Sequence, residues 1–487
     1  MPITHRNKKT PFFQKPVLAA FLISIAYWIY LFFSSSMVIR YDSLGYENLA
    51  SLIYKSGWIQ YFVTGPNREP MYPWVISLSM RLGDSLGISY HEIQKFIQII
   101  FLFITQLLTF RILKKLRVPG ALTALTLLYL GFSPALINSA FSLYSEILAY
   151  PFILGIILVS AESWKLIQKD YSPKLFFFGL RLGLLFISIT FVKAVFQCIL
   201  PIFLIPFFYL LLKALIKQNK RLFFNTAALL FMVILTFNAF VIPYKLLNKK
   251  YNGVYTFTDR GAWALYGNTV RRMQPLDRKK VIAAFAFTAG EGVCRRFCQP
   301  AECAFWSSST SDSFGFSKLQ ELSHNDIPKD NIDSTLIRLS KNLILQNPLQ
   351  YLGITLIMSF PLFFWESTKI GFVDYPLWLN NLYDWGIFKD GLRLFIFLMT
   401  FISFIYLIRF VWQNRSKVIL KKNSPADSSL EDNHDIVTAF FILNLLLAYI
   451  ALHSFFYILT RYALPVAPLY LSAIVFFLTR MISKIKK

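Results

Sequence analysis

The chain has 487 residues, of which 56% are hydrophobic and only 15% charged, and its mean hydropathy is +0.51. A soluble domain carries about 25% charged residues, so a soluble enzyme and a disordered tail protein are both excluded. The charges are lopsided, with 50 Lys and Arg against 25 Asp and Glu and a formal net charge of +25, as in an integral membrane protein with basic edges.

In chain order, apolar runs, uncharged but for Arg181, fall at 17–39, 96–110, 118–139, 147–161, 175–192, 194–212, 222–243, 394–408, 436–459 and 462–479. Crossing a hydrocarbon core of about 30 Å takes roughly 20 residues of helix, and these runs are the candidates. The first holds Trp, Tyr and Ser and no small-residue cleavage site, so it reads as a retained span and not a removed signal. A further apolar run, 342–365, contains Pro348 and Pro361.

Basic residues in short loops orient such a set. Arg6, Lys8, Lys9 and Lys15 precede the first run, and Arg480, Lys484, Lys486 and Lys487 follow the last. Alternate loops carry Lys114, Lys115 and Arg117; Lys165, Lys169 and Lys174; Lys213, Lys217, Lys220 and Arg221; and Arg415, Lys417, Lys421 and Lys422. Both termini then lie in the cytoplasm, which requires an even number of crossings. Ten runs satisfy this and an eleventh breaks it. The run 342–365 is therefore expected to be a re-entrant or surface-lying helix pair, although hydropathy alone makes it a span.

This orientation divides the chain into an N-terminal membrane module, 1–243, an exterior unit, 244–341, and C-terminal membrane helices, 342–487. Within the first, the segment 40–95 forms a long outer loop and holds the candidate catalytic residues. The exterior unit alone has ordinary polar composition and reads as a small α-rich domain. The segment 423–435, rich in Ser, Asp and Pro, reads as a solvated cytoplasmic loop. No internal repeat, coiled-coil heptad or nucleotide-binding glycine loop is apparent.

The first outer loop reads RYDSLGYENLASLIYKSGWIQYFVTGPNREPMYPW over 40–74. Leu44, Leu49, Leu52 and Ile53 form an amphipathic pattern suited to a helix lying in the interface. Gly65 and Pro66 mark a turn, and 71–80 predicts a second surface helix, too short to span before Arg81 and Asp84. Asp42 stands where the first span leaves the membrane. A carboxylate there is cheap, whereas at the bilayer centre it costs about 2.5–3.5 kcal/mol. Asp42 either pairs with Arg40 or caps the next helix, or it serves chemistry. Glu69, between Arg68 and Pro70, has the same two readings. Glu146, Lys193, Arg461 and Tyr462 stand at the outer ends of three spans. Singly each is explained by snorkelling or anchoring, as is Arg181. Together they point to one site for a charged ligand.

RYDSLGYENLA after the first run, the NREPMYP turn, the YSEILAYPF helix start and the terminal RYALPVAPLY helix resemble the multi-spanning GT-C glycosyltransferases. The nearest type includes protein O-mannosyltransferases and lipid A aminoarabinose transferases. The resemblance lies in the order of short motifs across the membrane part and is weak over 244–341. It implies an all-α polytopic membrane protein, a GT-C-like bundle. The runs above supply ten or eleven transmembrane helices, with amphipathic surface helices in the first outer loop and the small outer domain beside them.

Such enzymes sit in the cytoplasmic (inner) membrane and move a sugar from a polyprenyl-phosphate donor to an outer-face acceptor, inverting the anomeric carbon. The resemblance places Asp42 as the base, since an attacking hydroxyl needs a carboxylate within reach to take its proton, and partial desolvation strengthens that base. Glu69 resembles the second acidic position, although aminoarabinose transferases carry Glu-Lys-Pro where this chain has Arg68-Glu69-Pro70. The exchanged order leaves Glu69 as a second acid or as an orienter of Arg68 or the sugar. The leaving lipid phosphate needs cations, and Arg68, Lys193 and Arg461 are the candidates, Arg being suited by its planar fork. Tyr46, Tyr72, Glu146 and Tyr462 complete the expected substrate contacts. No Asp-x-Asp occurs, which speaks against a metal-held nucleotide sugar, so neither metal nor other cofactor is expected.

The exterior unit carries 15 Lys and Arg against 9 Asp and Glu. GAWALYGNTVRRM puts Trp263 and Tyr266 near Arg271 and Arg272. This is either a place for a sugar face beside an anion or an ordinary amphipathic surface against anionic headgroups. Cys294, Cys298 and Cys303 have gaps of three and four and no adjacent histidine, which argues against zinc. An oxidising exterior favours one disulfide and a spare thiol, the pair left open by spacing. Cys198, inside a span, is expected to serve packing. The expected partners are a polyprenyl-phosphate sugar, a glycan, lipid or protein acceptor, and anionic membrane lipids, without nucleic acid. Two other activities remain. A ligase or polymerase of lipid-linked glycans should centre on a large outer loop with essential Arg or His. A transporter or flippase should show repeated halves and broken helices near the midplane.

Overall fold

The computed structural model describes residues 15–65, 68–168, 172–325, 328–368, 372–418 and 433–485. Pro66, most of the 423–435 loop and the flanking cations Arg6, Lys8, Lys9, Lys169, Lys421, Lys422, Lys486 and Lys487 lie outside the described residues. Nine described helices are long and apolar enough to cross a membrane: Lys15–Ser34, Tyr90–Lys115, Glu146–Gln168, Lys174–Val192, Phe196–Ile216, Lys220–Asn252, Gly386–Gln413, His434–Phe456 and Arg461–Ile485. The chain is a helical, multi-pass membrane protein.

Two further pairs reach that length only as bent units. Gly120–Phe132 and Pro134–Phe141 meet at 47°, and Asn331–Gln346 and Pro348–Phe363 at 103°. Each bend is written in the same way. Proline has no amide for the preceding turn, so the helix stops and a new one starts at its first position. Ser133 and Asn347 cap the new helices, their side chains accepting from the Leu136 and Gln350 amides. The run 342–365 thus holds the end of the first limb and the whole of the second, so a bent pair is present, as its prolines lead one to expect, but it starts well before the run. Pro348 makes the bend, while Pro361 sits in the short 3-10 turn Phe360–Phe363.

Burial sorts the spans. Glu146–Gln168 and Arg461–Ile485 each have 78% of their apolar window inside the protein, whereas Lys15–Ser34 and Gly386–Gln413 have 33%. The first two form the centre and the others the lipid-facing wall, where exposed Leu22 and Phe33 are at home. Buried amides tie the wall to the centre. Gln98 donates to the Ala140 and Ser142 carbonyls at 2.7 and 3.0 Å, and Gln106 donates to Ser24 and to the Leu127 carbonyl, both at 2.9 Å. Cys198 is exposed on the bundle surface, which corrects the expectation that it packs inside.

The first loop forms the helices Asp42–Thr64, kinked at Gly57, and Met71–Leu86. Leu49 and Ile53 are buried, Leu52 is half-buried and Leu44 is exposed, so only part of the expected apolar face packs inward. The second helix runs past 80 because Arg81 and Asp84 lie on its outer side, where Asp84 accepts from Tyr54. The only described strands, Ser36–Met37 and Val373–Asp374, form a two-residue antiparallel ladder after the first span.

Lys220–Asn252 continues past 243 and ends at the left-handed Gly253, and the helix Lys329–Gln346 runs across 341. The polar unit is therefore joined to the bundle by continuous helix at both ends. Inside it lie Gly261–Met273, Arg278–Thr288, Glu291–Phe297, Pro300–Phe305 and Ser308–His324. Cys294 pairs with Cys303 and Cys298 is free. That disulfide packs with Trp306, Ile354, Met358 and Ile458, a core that the polar unit shares with the bundle.

Candidate functional site

Asp42 begins its helix after a sharp turn at Tyr41, whose φ is 50°. A carboxylate in the first turn suits the helix dipole, yet the group does not cap the helix. Arg68 Nη2 donates to its Oδ1 at 2.6 Å, and Arg461 Nη1 pairs with its Oδ2. Its partners are thus Arg68 and Arg461 instead of the neighbouring Arg40. Arg68 comes from the turn before Met71–Leu86, and Arg461 from the 3-10 segment Thr460–Val466 that opens the last span. Asp42 therefore ties three remote parts of the chain together. Its side chain keeps 24% exposure, so the cluster is open to a ligand.

Arg68 lies over the Tyr46 ring, 4.4 Å from its centre, and passes close to Gly45, where a Cβ would stand 3.1 Å from Nε. A side chain there would push the guanidinium aside by a few tenths of an ångström. The Arg68 carbonyl accepts from Tyr61 at 2.7 Å, which pins the turn. Tyr46 also meets Ser145 Oγ at 3.1 Å and sets its ring edge-on to Tyr72 at 5.0 Å. Tyr72 in turn donates to Gln98 at 2.6 Å.

Glu146 opens its span with only 2% exposure, and Lys193 Nζ lies 2.8 Å from its Oε1. Its Oε2 is buried and has no partner among the described residues. Lys193 sits in the extended break between Lys174–Val192 and the next span. Glu69 holds that break, accepting from the Ala194 amide at 2.9 Å. Glu69 thus serves the backbone beside Lys193 and makes no described bond to Arg68. Tyr462 follows Arg461, accepts from Tyr449 through its carbonyl at 2.6 Å and lies 5.0 Å from the His453 ring. Arg461 is also 5.8 Å from the Tyr144 ring.

The structure therefore gathers Asp42, Arg68, Glu69, Glu146, Lys193, Arg461, Tyr46, Tyr72 and Tyr462 into one region, three acids facing three cations. Burial pushes the Asp42 carboxyl up, but the Arg461 and Arg68 guanidiniums outweigh it and hold the group far below the usual carboxylate range. Tyr144, Ser145, Tyr449 and His453 also belong here although the sequence did not single them out. Tyr144 and Ser145 directly precede Glu146, and His453 is an imidazole within an apolar run, which is the signal each offered.

Trp263 and Tyr266 stand elsewhere. Trp263 stacks on Phe316 at 4.4 Å, and Tyr266 packs against the cluster of Leu322, Ile332 and Leu336. Arg271 donates to the Trp306 and Ser307 carbonyls at 2.8 and 2.7 Å, and Arg272 to Thr355 Oγ1 at 2.6 Å. This aromatic and basic group is therefore engaged by the polar unit and, through Arg272, by the helix Pro348–Ser359, and none of the four makes a described contact with Asp42.

Next to Glu69 a cavity of about 310 Å³ opens along the bundle, lined by Trp58, Pro70, Trp74, Ile187, Phe191 and Phe240. Its walls are almost wholly apolar. Comparison with protein-family models, curated proteins and solved structures finds no match for the chain.

Proposed function

We propose that the chain is a GT-C-type membrane glycosyltransferase, carrying a sugar from a polyprenyl-phosphate donor to an acceptor on the outer face of the cytoplasmic membrane. The supporting observation is the Asp42 cluster itself: one acid held between two arginines, with an apolar cavity beginning one residue beyond Glu69. A lipid-linked donor needs both halves, cations for its phosphate and an apolar wall for its chain.

In this reading the donor phosphate seats on Arg68 and Arg461, each fork able to hold two oxygens. The acceptor hydroxyl gives its proton to Asp42 as its oxygen attacks the anomeric carbon from the face opposite the phosphate. The bond from that carbon to the phosphate oxygen breaks, and the electron pair leaves on polyprenyl phosphate, inverting the centre. Glu146 Oε2 is free to orient a sugar hydroxyl, and Lys193 neutralises charge behind it. Asp42 as found is a weak base, because two guanidiniums stabilise its ionised form. Phosphate binding draws those cations away, so Asp42 gains basicity only when the leaving group is in place.

The experiment is mass spectrometry of envelope glycolipids and glycoproteins from cells with and without the gene, followed by transfer assays on purified protein. Asp42→Asn is expected to abolish transfer while binding polyprenyl phosphate at least as well as the parent, its arginines being freed. Full activity in that variant removes Asp42 as base. Sugar uptake into proteoliposomes without transfer replaces the whole reading with transport.

A further inference from the structure

A second cavity, of about 360 Å³, lies between the polar unit and the bundle and is bounded by Ile458 and Leu459, just before Arg461. Its lining is part apolar, with Met358, Pro361, Phe364 and Leu459, and part polar, with Ser307, Ser308, Glu291 and Arg393. Arg393 stands in the second turn of Gly386–Gln413. Its guanidinium lies 5.1 Å from the Phe364 ring centre and against Gly290, where a Cβ would stand 2.9 Å from Nη1.

This arginine has no acid of its own. Among the described residues no carboxylate reaches ion-pair distance of Arg393, and its Nε is buried without a partner. The two acids nearby are engaged elsewhere: Glu291 meets Arg295 at 2.5 Å, and Asp390 lies 3.8 Å from Arg296. The guanidinium is thus a charge in want of a close anion. More positive charge stands behind the wall. Arg271 is buried and spends its protons on the Trp306 and Ser307 carbonyls that form it. Burial and Arg272 bring Arg271 down only to about 10, so it remains cationic at neutral pH. Ser307 caps the helix Ser308–His324, whose positive end faces the same space.

We propose that this cavity binds the phosphate headgroup of a lipid, with Arg393 as its counter-ion and the Met358–Phe364–Leu459 wall receiving the first part of the chain. Phosphate matches the unpaired guanidinium and the helix end. A lipid-borne phosphate, unlike a free one, also explains why half the lining is apolar. The site requires neither Asp42 nor a sugar donor, so it stands apart from the transferase reading.

The test is binding of dodecyl phosphate to the purified full chain in a neutral detergent, read by native mass spectrometry. It is run in an Arg68→Gln background so that the Asp42 region does not compete. Arg393→Gln is expected to weaken binding about tenfold, the loss of one charge-assisted contact, with partial recovery in Arg393→Lys. Glu291→Gln, at an exposed helix turn, is expected to tighten binding, and it carries the test if Arg393→Gln fails to fold. Unchanged binding in a folded Arg393→Gln overturns the proposal, as does unchanged binding in Glu291→Gln. Inorganic phosphate binding as tightly as dodecyl phosphate overturns the lipid as the source.

Discussion

The pair Glu146–Lys193 is the most deeply placed charge in the candidate site, with side-chain exposures of 2% and 17% and a separation of 2.8 Å. Removing one member leaves the other uncompensated, which costs about 3–5 kcal/mol. Glu146→Gln is therefore expected to lower the melting temperature markedly, and Glu146→Gln with Lys193→Met to recover most of it. A double-mutant cycle followed by thermal denaturation measures the coupling, and additive losses would show that the two groups act separately. Asp42 gives a kinetic counterpart. Its carboxyl is held far below the usual range by Arg461 and Arg68, and in the proposed reaction phosphate would take those arginines and release it. The acid limb of kcat/KM reports the free enzyme and that of kcat the loaded one. The limb of kcat should then lie at the higher pH, and coincident limbs would refute a phosphate-released base. Ionisable groups are so rare in this chain that those at span ends stood out in the sequence. Their partners did not, because proximity in sequence pointed Asp42 to Arg40 and Glu69 to Arg68. The fold instead brings Arg461 from the far end of the chain to Asp42 and places the Ala194 amide on Glu69.

At the level of elements, the proline breaks do more than end helices. Glu366, 1% exposed, sits at the start of Pro134–Phe141 and accepts from Tyr129 at 2.5 Å, Ser133 at 2.6 Å and the Ala135 amide at 2.9 Å. One carboxylate thus locks the 47° bend to the segment that follows the second helix pair. Glu366→Ala leaves three buried donors unsatisfied, at about 1–3 kcal/mol each. It should raise hydrogen exchange across the helix Pro134–Phe141 more than in the distant span Lys220–Asn252. Equal exchange in both regions would mean that the bend is set by Pro134 alone. Apolar runs located nearly every span, but their ends were legible only in part. Hydropathy marks what lies in the lipid, whereas Tyr90–Lys115 continues on both sides of 96–110 because charged residues also favour helix. The grouping of Trp263 and Tyr266 with arginine misled for a related reason. Helical spacing sets both rings against other helices of the polar unit, a partnership that a local pattern cannot display.

For the whole molecule, the decisive quantity is which way the bundle faces, since outer-face transfer depends on it. The net charge of +25 belongs mostly to this question: basic loops set orientation, and only a few cations stand in the candidate site. Nine described helices are long and apolar enough to cross, and the 47° pair would make a tenth crossing, whereas the limbs of the 103° pair diverge too far to follow one membrane normal. If all ten cross, Lys15 and Ile485 fall on one side and the polar unit, with Asp42, on the other. Cys298 supplies a native reporter of that arrangement. It is a free, partly exposed thiol of the polar unit, whereas Cys294 and Cys303 are joined and Cys198 faces out from a span. In a Cys198→Ser background a membrane-impermeant maleimide should label intact cells, stripped of any outer membrane, and Cys298→Ser should abolish the signal. A cysteine placed at Lys217, in a basic loop, should react only after the membrane is opened. The reverse pattern would put Asp42 and its arginines on the cytoplasmic side, where a transferase for an outer-face acceptor could not work.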